Sequence, residues 1–191
     1  MSLKLAVAYQ DIHKDVVEAC KKGDSRSQYK LYQLYSRAMF NICYRMMNNR
    51  EEAEDMLQES FSEAFLKLDT FRYESNFGAW LKRIVINKCI NEIKRKKTEV
   101  FYVDDVYTLE KNKDEEYVDV EEIKLNVQKV QKVMEELPEG YRIIFSLYLL
   151  EGYDHKEISE ILGITESTSK SQYMRAKQKI RNILNTMQNE G

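Results

Sequence analysis

A single proline and six glycines in 191 residues constrain this chain more tightly than any other feature. Strand-rich folds turn often, and turns draw on glycine and proline for backbone angles that other residues resist. A chain this poor in both is expected to fold into helices, so the expected class is all-α. Its length accommodates one medium domain or two small ones. The apolar share of 43% is enough to bury real cores and excludes wholesale disorder.

Helical punctuation divides the chain. A first helix is expected over about Asp11 to Lys22, stopping at Gly23, with Asp24 or Ser25 capping the next. That second helix repeats Leu31, Leu34, Tyr35, Ala38, Ile42 and Cys43 at helical spacing. Asn48 and Asn49 break it, and Asn49 with Glu52 reads as a capping box. The third helix carries Ala53, Met56, Leu57, Ser60, Phe61, Ala64, Phe65 and Leu68 on one face, opposite an acidic face. After an aromatic loop from Asp69 to Asn76, a fourth helix runs through Trp80 and Ile84 to the basic cluster Lys94–Lys97. Helical periodicity fades from Thr98 to about Glu121, an acidic stretch read as a linker. Periodicity returns at about Glu122 to Leu137, and Pro138 suits the first turn of a helix reaching Leu150 and stopping at Gly152. Asp154 with Glu157 forms another capping box. The reading is two small helical domains, 1–97 and 122–191, joined by an acidic linker over 98–121.

Charge narrows the function. The formal net charge of −2 argues against a nucleic-acid binder until its distribution is considered. Lys82, Arg83, Lys88 and Lys94 to Lys97 form one basic block, and Lys170, Arg175, Lys177, Lys179 and Arg181 form another. Glu99 to Glu122 between them is acidic, so the charges cancel in the sum while staying apart in sequence. Cys20, Cys43 and Cys89 are odd in number, lack a CxxC pair and sit among apolar residues, as buried reduced thiols do. No metal or cofactor is expected. Leu3 to Tyr9 is too short for a signal peptide, and the apolar run Ile143 to Leu150 is too short for a membrane span, so a cytoplasmic protein is expected. An enzyme is disfavoured: His13 and His155 lie far apart, and neither a phosphate-binding glycine loop nor an HExxH spacing occurs.

Asp154 to Arg181 reads as a short helix, a turn at Gly163–Ile164 and a second helix capped by Thr165, the pattern of a helix-turn-helix (winged-helix-like) DNA-binding domain. The second helix opens Thr165-Glu166-Ser167-Thr168-Ser169-Lys170-Ser171-Gln172 and continues to Arg175. Thr168 and Ser171 suit phosphates, Gln172 suits adenine, and Lys170 and Arg175 suit guanine or phosphate. Tyr173, Ala176 and Ile180 would face the helices beneath. Glu166 is discordant, because it repels phosphate unless turned aside or serving the helix N-terminus. In the fourth helix, Trp80, Arg83, Asn87, Lys88 and Asn91 combine aromatic, amide and cationic groups suited to unstacked bases. A buried Trp80 with a solvated basic face remains an equal reading of the spacing.

Together these segments resemble the extracytoplasmic-function sigma factors, small members of the sigma-70 family, over about Lys14 to Leu184. Glu51-Glu52-Ala53-Glu54-Asp55-Met56-Leu57-Gln58-Glu59-Ser60-Phe61 is similar to the family's helix that binds the clamp helices of the polymerase beta-prime subunit. Phe77-Gly78-Ala79-Trp80-Leu81-Lys82-Arg83-Ile84-Val85-Ile86-Asn87 matches its tryptophan-centred segment for the −10 element, and Gly163 to Arg175 its −35 helix. The resemblance implies a transcription initiation factor with core RNA polymerase and promoter DNA as partners, and no small-molecule substrate. Asp55, Gln58, Glu59 and Phe61 would bind polymerase. Trp80, Arg83, Asn87, Lys88 and Asn91 would serve the −10 element, with Asn87 near a flipped base. Thr168, Lys170, Ser171, Gln172 and Arg175 would serve the −35 element. It also implies a membrane-bound anti-sigma factor as a partner. Asn91 stands where the family commonly has Asp, Ser167 where it has Gly, Ser169 where it has Val and Gln172 where it has Arg. Two other readings are a helix-turn-helix regulator acting without core polymerase and a helical adaptor without a DNA role.

Overall fold

The computed structural model describes residues 13–99 and 127–189, all of whose regular elements are helical. The chain divides into two compact units, Met1–Glu92 and Ile93–Gly191. In the first unit, α1 (Lys14–Lys21), α2 (Ser25–Met47), α3 (Arg50–Leu66) and a 3₁₀ turn (Leu68–Thr70) lead to α4 (Phe77–Glu99), whose last turns extend past the unit's boundary. The basic cluster therefore does not end α4, which runs on through Thr98 and Glu99. The acidic stretch from 100 onward and the start of the helix expected at Glu122 lie outside the described residues.

Local chemistry sets these boundaries. Gly23 and Asn48 take left-handed angles (φ 84° and 54°). Asp24 caps α2 by accepting from the Arg26 and Ser27 amides, and Asn49 caps α3 by accepting from the Glu52 amide. The core of the unit is rich in methionine and small residues: Leu31, Met39, Ile42, Cys43 and Met46 of α2 meet Ala53, Met56, Leu57, Phe61 and Ala64 of α3 among its buried residues. The expected inner face of α2 is corrected here. Leu34 is 45% exposed and Ala38 is exposed, while Met39 and Met46 take the buried places. All three cysteines are buried and free, as expected. Burial pushes the Cys20 thiol up to about 11, and Cys43 beside Cys89 together with burial holds the Cys89 thiol well above its ordinary range.

The second unit contains α5 (Val127–Glu136), α6 (Glu139–Phe145), a π-helical segment (Ser146–Leu150), α7 (His155–Leu162) and α8 (Glu166–Asn189). Pro138 is the residue before α6, not within its first turn, and the helix expected to reach Leu150 widens at Ser146. Arg142 is buried and donates from Nη1 to the Leu137 carbonyl at 3.0 Å, tying α6 to the end of α5. Val133, Leu137, Ile143, Ile144, Phe145, Leu147, Ile158, Tyr173, Ala176 and Ile180 are buried. Tyr173, Ala176 and Ile180 thus face inward, as the helical period predicts.

Candidate nucleic-acid interface

In the first unit, an aromatic cluster fixes the start of α4. Phe77 has no exposed surface, and its ring stands edge-on to Tyr35 at 5.2 Å and Phe71 at 5.8 Å. Trp80, half-buried, leans on Phe71 at 5.2 Å and Phe77 at 5.7 Å. Gly78 lets Tyr35 approach: a Cβ there would stand 2.9 Å from the ring. The Asn76 carboxamide accepts from the Ala79 amide at 2.7 Å and holds the first turn.

From Trp80 onward α4 presents one exposed stripe, because Arg83, Asn87 and Asn91 recur at three- and four-residue spacing and all are exposed. Lys88 is different. Its Nζ lies 3.1 Å from Glu63 and 3.4 Å from Glu59, both on α3, and bonding to Glu63 holds its ammonium above the usual lysine range. Glu63 also pairs with Lys67 at 2.6 Å, and that bond leads the causes holding its carboxyl low. Lys88 therefore braces α3 against α4.

The acidic face of α3 exposes Asp55, Gln58 and Glu59. Beside it lies a cleft of about 320 Å³ lined by Tyr32, Phe40, Arg50, Glu54, Leu57 and Gln58. Phe61 departs from this surface: it is 3% exposed and packs edge-on to Tyr32 at 4.9 Å. The helical period puts Phe61 in the core, and the exposed stripe holds only its polar neighbours.

In the second unit, α7 and α8 form the helix-turn-helix. Asp154 accepts from the Glu157 amide while Glu157 reaches back to the Asp154 amide, completing the capping box. Gly163 turns the chain at φ 72°, and Thr165 Oγ1 accepts from the Thr168 amide at 3.0 Å, starting α8. Lys170 and Ser171 are exposed, and Thr168, Gln172 and Arg175 half-exposed. The discordant Glu166 pairs with Lys170 at 2.6 Å, and that bond keeps its carboxyl below the usual range. The Gln172 carboxamide oxygen stands 3.1 Å from where a Cβ on Gly140 would be, so this side chain leans toward the start of α6.

Two family models match the chain in order. Sigma-70 region 2 covers residues 31–99, and Sigma-70, region 4 covers residues 127–180. The ECF RNA polymerase sigma factor SigM of Bacillus subtilis is 31% identical over 157 residues, covering 82% of this chain and 94% of that protein. The chain belongs to the extracytoplasmic-function sigma factors. SigW of the same organism is 29% identical over 180 residues, covering 90% of this sigma factor and 96% of its relative. Among solved structures, the fold is similar to the Bartonella quintana sigma factor RpoE in complex with the anti-sigma factor NepR. That match has a TM-score of 0.53 and 21% identity, and covers 82% of this chain and 96% of the other. A sigma factor is a promoter-specific transcription initiation factor that works with RNA polymerase and is not an enzyme.

Two features of this sigma factor escaped sequence reasoning. One is the Lys88–Glu63 brace, which joins residues on different helices and leaves no local signal. The other is a bond of 2.9 Å between His155 Nδ1 and Ser169 Oγ, inside the helix-turn-helix. The histidine beside a capping aspartate and a serine on the inward period of α8 were visible in sequence, but their meeting depends on how α7 crosses α8.

Proposed function

We propose that the two units act as separate hands on one promoter. On α4, Trp80, Arg83, Asn87 and Asn91 capture unstacked bases of the −10 element, the aromatic and amide groups meeting bases and Arg83 a phosphate. On α8, Thr168, Lys170, Ser171, Gln172 and Arg175 read the −35 duplex, with Ser and Thr on phosphates and the longer side chains toward base edges. Asp55, Gln58 and Glu59 dock on the clamp helices of the polymerase beta-prime subunit, and Phe61 supports them from beneath. The working domains are 1–97, with α4 running two residues further, and 122–191, and the acidic stretch that follows α4 links them. A membrane-bound anti-sigma factor is the expected inhibitor, and the Bartonella quintana sigma factor RpoE is found in complex with the anti-sigma factor NepR. The protein works in the cytoplasm, and among the described residues no helix is long and apolar enough to cross a membrane.

The single observation that carries this reading is the exposed stripe Arg83, Asn87 and Asn91 continuing from a half-buried Trp80. A solvated structural face has no need of two amides and an aromatic edge in line. Permanganate footprinting of the holoenzyme on a selected promoter tests it. Wild-type protein is expected to open reactive thymines at the −10 element, and Asn87→Ala with Asn91→Ala to lose them while still binding core. Undiminished melting by that double variant would contradict the assignment.

A further inference from the structure

His155 is the first residue of α7, and Ser169 lies in the opening turn of α8. The bond between His155 Nδ1 and Ser169 Oγ, 2.9 Å long, joins residues 14 positions apart and so closes the whole helix-turn-helix. Ser169 has no exposed surface. The imidazole stacks on Tyr148 of the π-helical segment at 4.4 Å and 18°, and stands edge-on to Tyr173 of α8 at 5.7 Å and 63°. Three elements therefore meet at one ring.

A buried hydroxyl must pair or carry a desolvation cost. Within a helix its usual alternative is the carbonyl four residues back, the partner that Ser60 takes at Met56, but the Ser169 hydroxyl is bonded to the α7 imidazole instead. The partner supplied by α7 is directional, unlike an apolar contact. The turn at Gly163 holds one end of the motif, and the His155–Ser169 bond holds a second point. A helix advances about 100° per residue, so a modest rotation of α8 would swing Lys170 and Ser171, the exposed neighbours of Ser169, away from their targets. Desolvation, then the nearby Lys170 ammonium, lowers the affinity of His155 for a proton, which favours the neutral ring.

We propose that His155 and Ser169 are positioning residues that fix the rotation of the recognition helix, and thereby set discrimination among −35 sequences. The inference rests on the reading of α8 as the −35 helix.

The test uses full-length protein with core polymerase, a −35 duplex selected from a randomised pool and a scrambled duplex. His155→Phe keeps the stack on Tyr148 and loses the nitrogen; Ser169→Ala removes the hydroxyl; the double variant removes both polar groups. Each single variant is expected to lower the selected-over-scrambled preference about tenfold, while affinity for scrambled duplex stays within about twofold. The double variant should regain thermal stability, since no buried polar group is orphaned, yet keep the reduced preference. His155→Asn, which restores a polar atom near the Nδ1 position, should regain part of the preference. Should His155→Phe fail to fold, Ser169→Ala and the double variant decide the matter. Unchanged preference in these variants, or a loss that vanishes with the recovered stability of the double variant, overturns the inference alone. If wild-type holoenzyme selects no −35 sequence at all, the underlying reading falls and the inference with it.

Discussion

Replacing Lys88 by methionine separates a structural brace from a DNA contact. The change keeps the aliphatic stem and removes the ammonium that lies 3.1 Å from Glu63 and 3.4 Å from Glu59. A partly exposed ion pair contributes about 0.2–1 kcal/mol. Glu63 keeps its bond to Lys67 at 2.6 Å, and Glu59, with a side chain 56% exposed, returns to water, so neither carboxylate is stranded. The expected loss of stability is therefore about 0.5–1 kcal/mol, toward the low end for two pairs. Urea unfolding followed by the fluorescence of Trp80, the only tryptophan, reads this loss directly. The DNA arm measures binding of holoenzyme to a single-stranded −10 oligonucleotide over a range of salt. One lost phosphate contact flattens the log–log salt slope by about 0.7 on a single strand. Arg83→Met is expected to flatten it by that amount with stability unchanged, and Lys88→Met to leave it alone. A flattened slope with unaltered stability in Lys88→Met would refute the brace and return Lys88 to the DNA-contacting group.

Three further outcomes follow from the same geometry. Glu166→Gln frees Lys170 from its carboxylate, and duplex affinity of the holoenzyme should rise, with a salt slope steeper by about 0.9 if Lys170 then meets a phosphate; unchanged affinity would mean the pair does not mask it. Burial and Lys170 hold the folded pKa of His155 below its ordinary value, so the folded ring takes a proton less readily than the unfolded one. The stability this contributes is fully present above about pH 6.5 and declines as pH falls below it, so unfolding of the second unit, followed by tyrosine circular dichroism, should come at lower urea near pH 5. An NMR titration placing His155 at or above the ordinary value would contradict this. Phe61→Ala should cost about 3–5 kcal/mol of stability, whereas Gln58→Ala should weaken core binding with stability unchanged; the reverse pattern would put Phe61 back on the polymerase-facing surface.

The parts of the fold legible in sequence are those written locally. Gly23, Asn49, Asp154, Gly163 and Thr165 act through backbone angles and amides within a few residues, and each behaves as its residue type dictates. Periodicity also served well, placing Tyr173, Ala176 and Ile180 inward. It placed Phe61 in the core too, against the resemblance, which assigned that ring to polymerase. On α2 periodicity served in part: Leu31, Ile42 and Cys43 are buried as expected, but Leu34 and Ala38 are exposed and methionines take buried places, because a mixed helix offers more than one apolar stripe and tertiary packing chooses between them. The widening at Ser146 leaves no local mark, and neither do the Lys88–Glu63 and His155–Ser169 contacts. Each joins residues whose proximity depends on a helix crossing. Of the candidate sites, the exposed residues on α3, α4 and α8 were legible as types at a spacing. The pairing of Lys88 across two helices was not, whereas that of Lys170 with Glu166, four residues apart on one helix, had a local signal.

Run-off transcription on a randomised promoter pool, with core polymerase alone and with this protein added, decides whether the two units select one promoter together. Transcripts are expected only in the combined reaction, from templates sharing a −35 and a −10 element at one fixed spacing. Transcripts independent of the protein, or a protein that binds duplex without directing initiation by core, would contradict it.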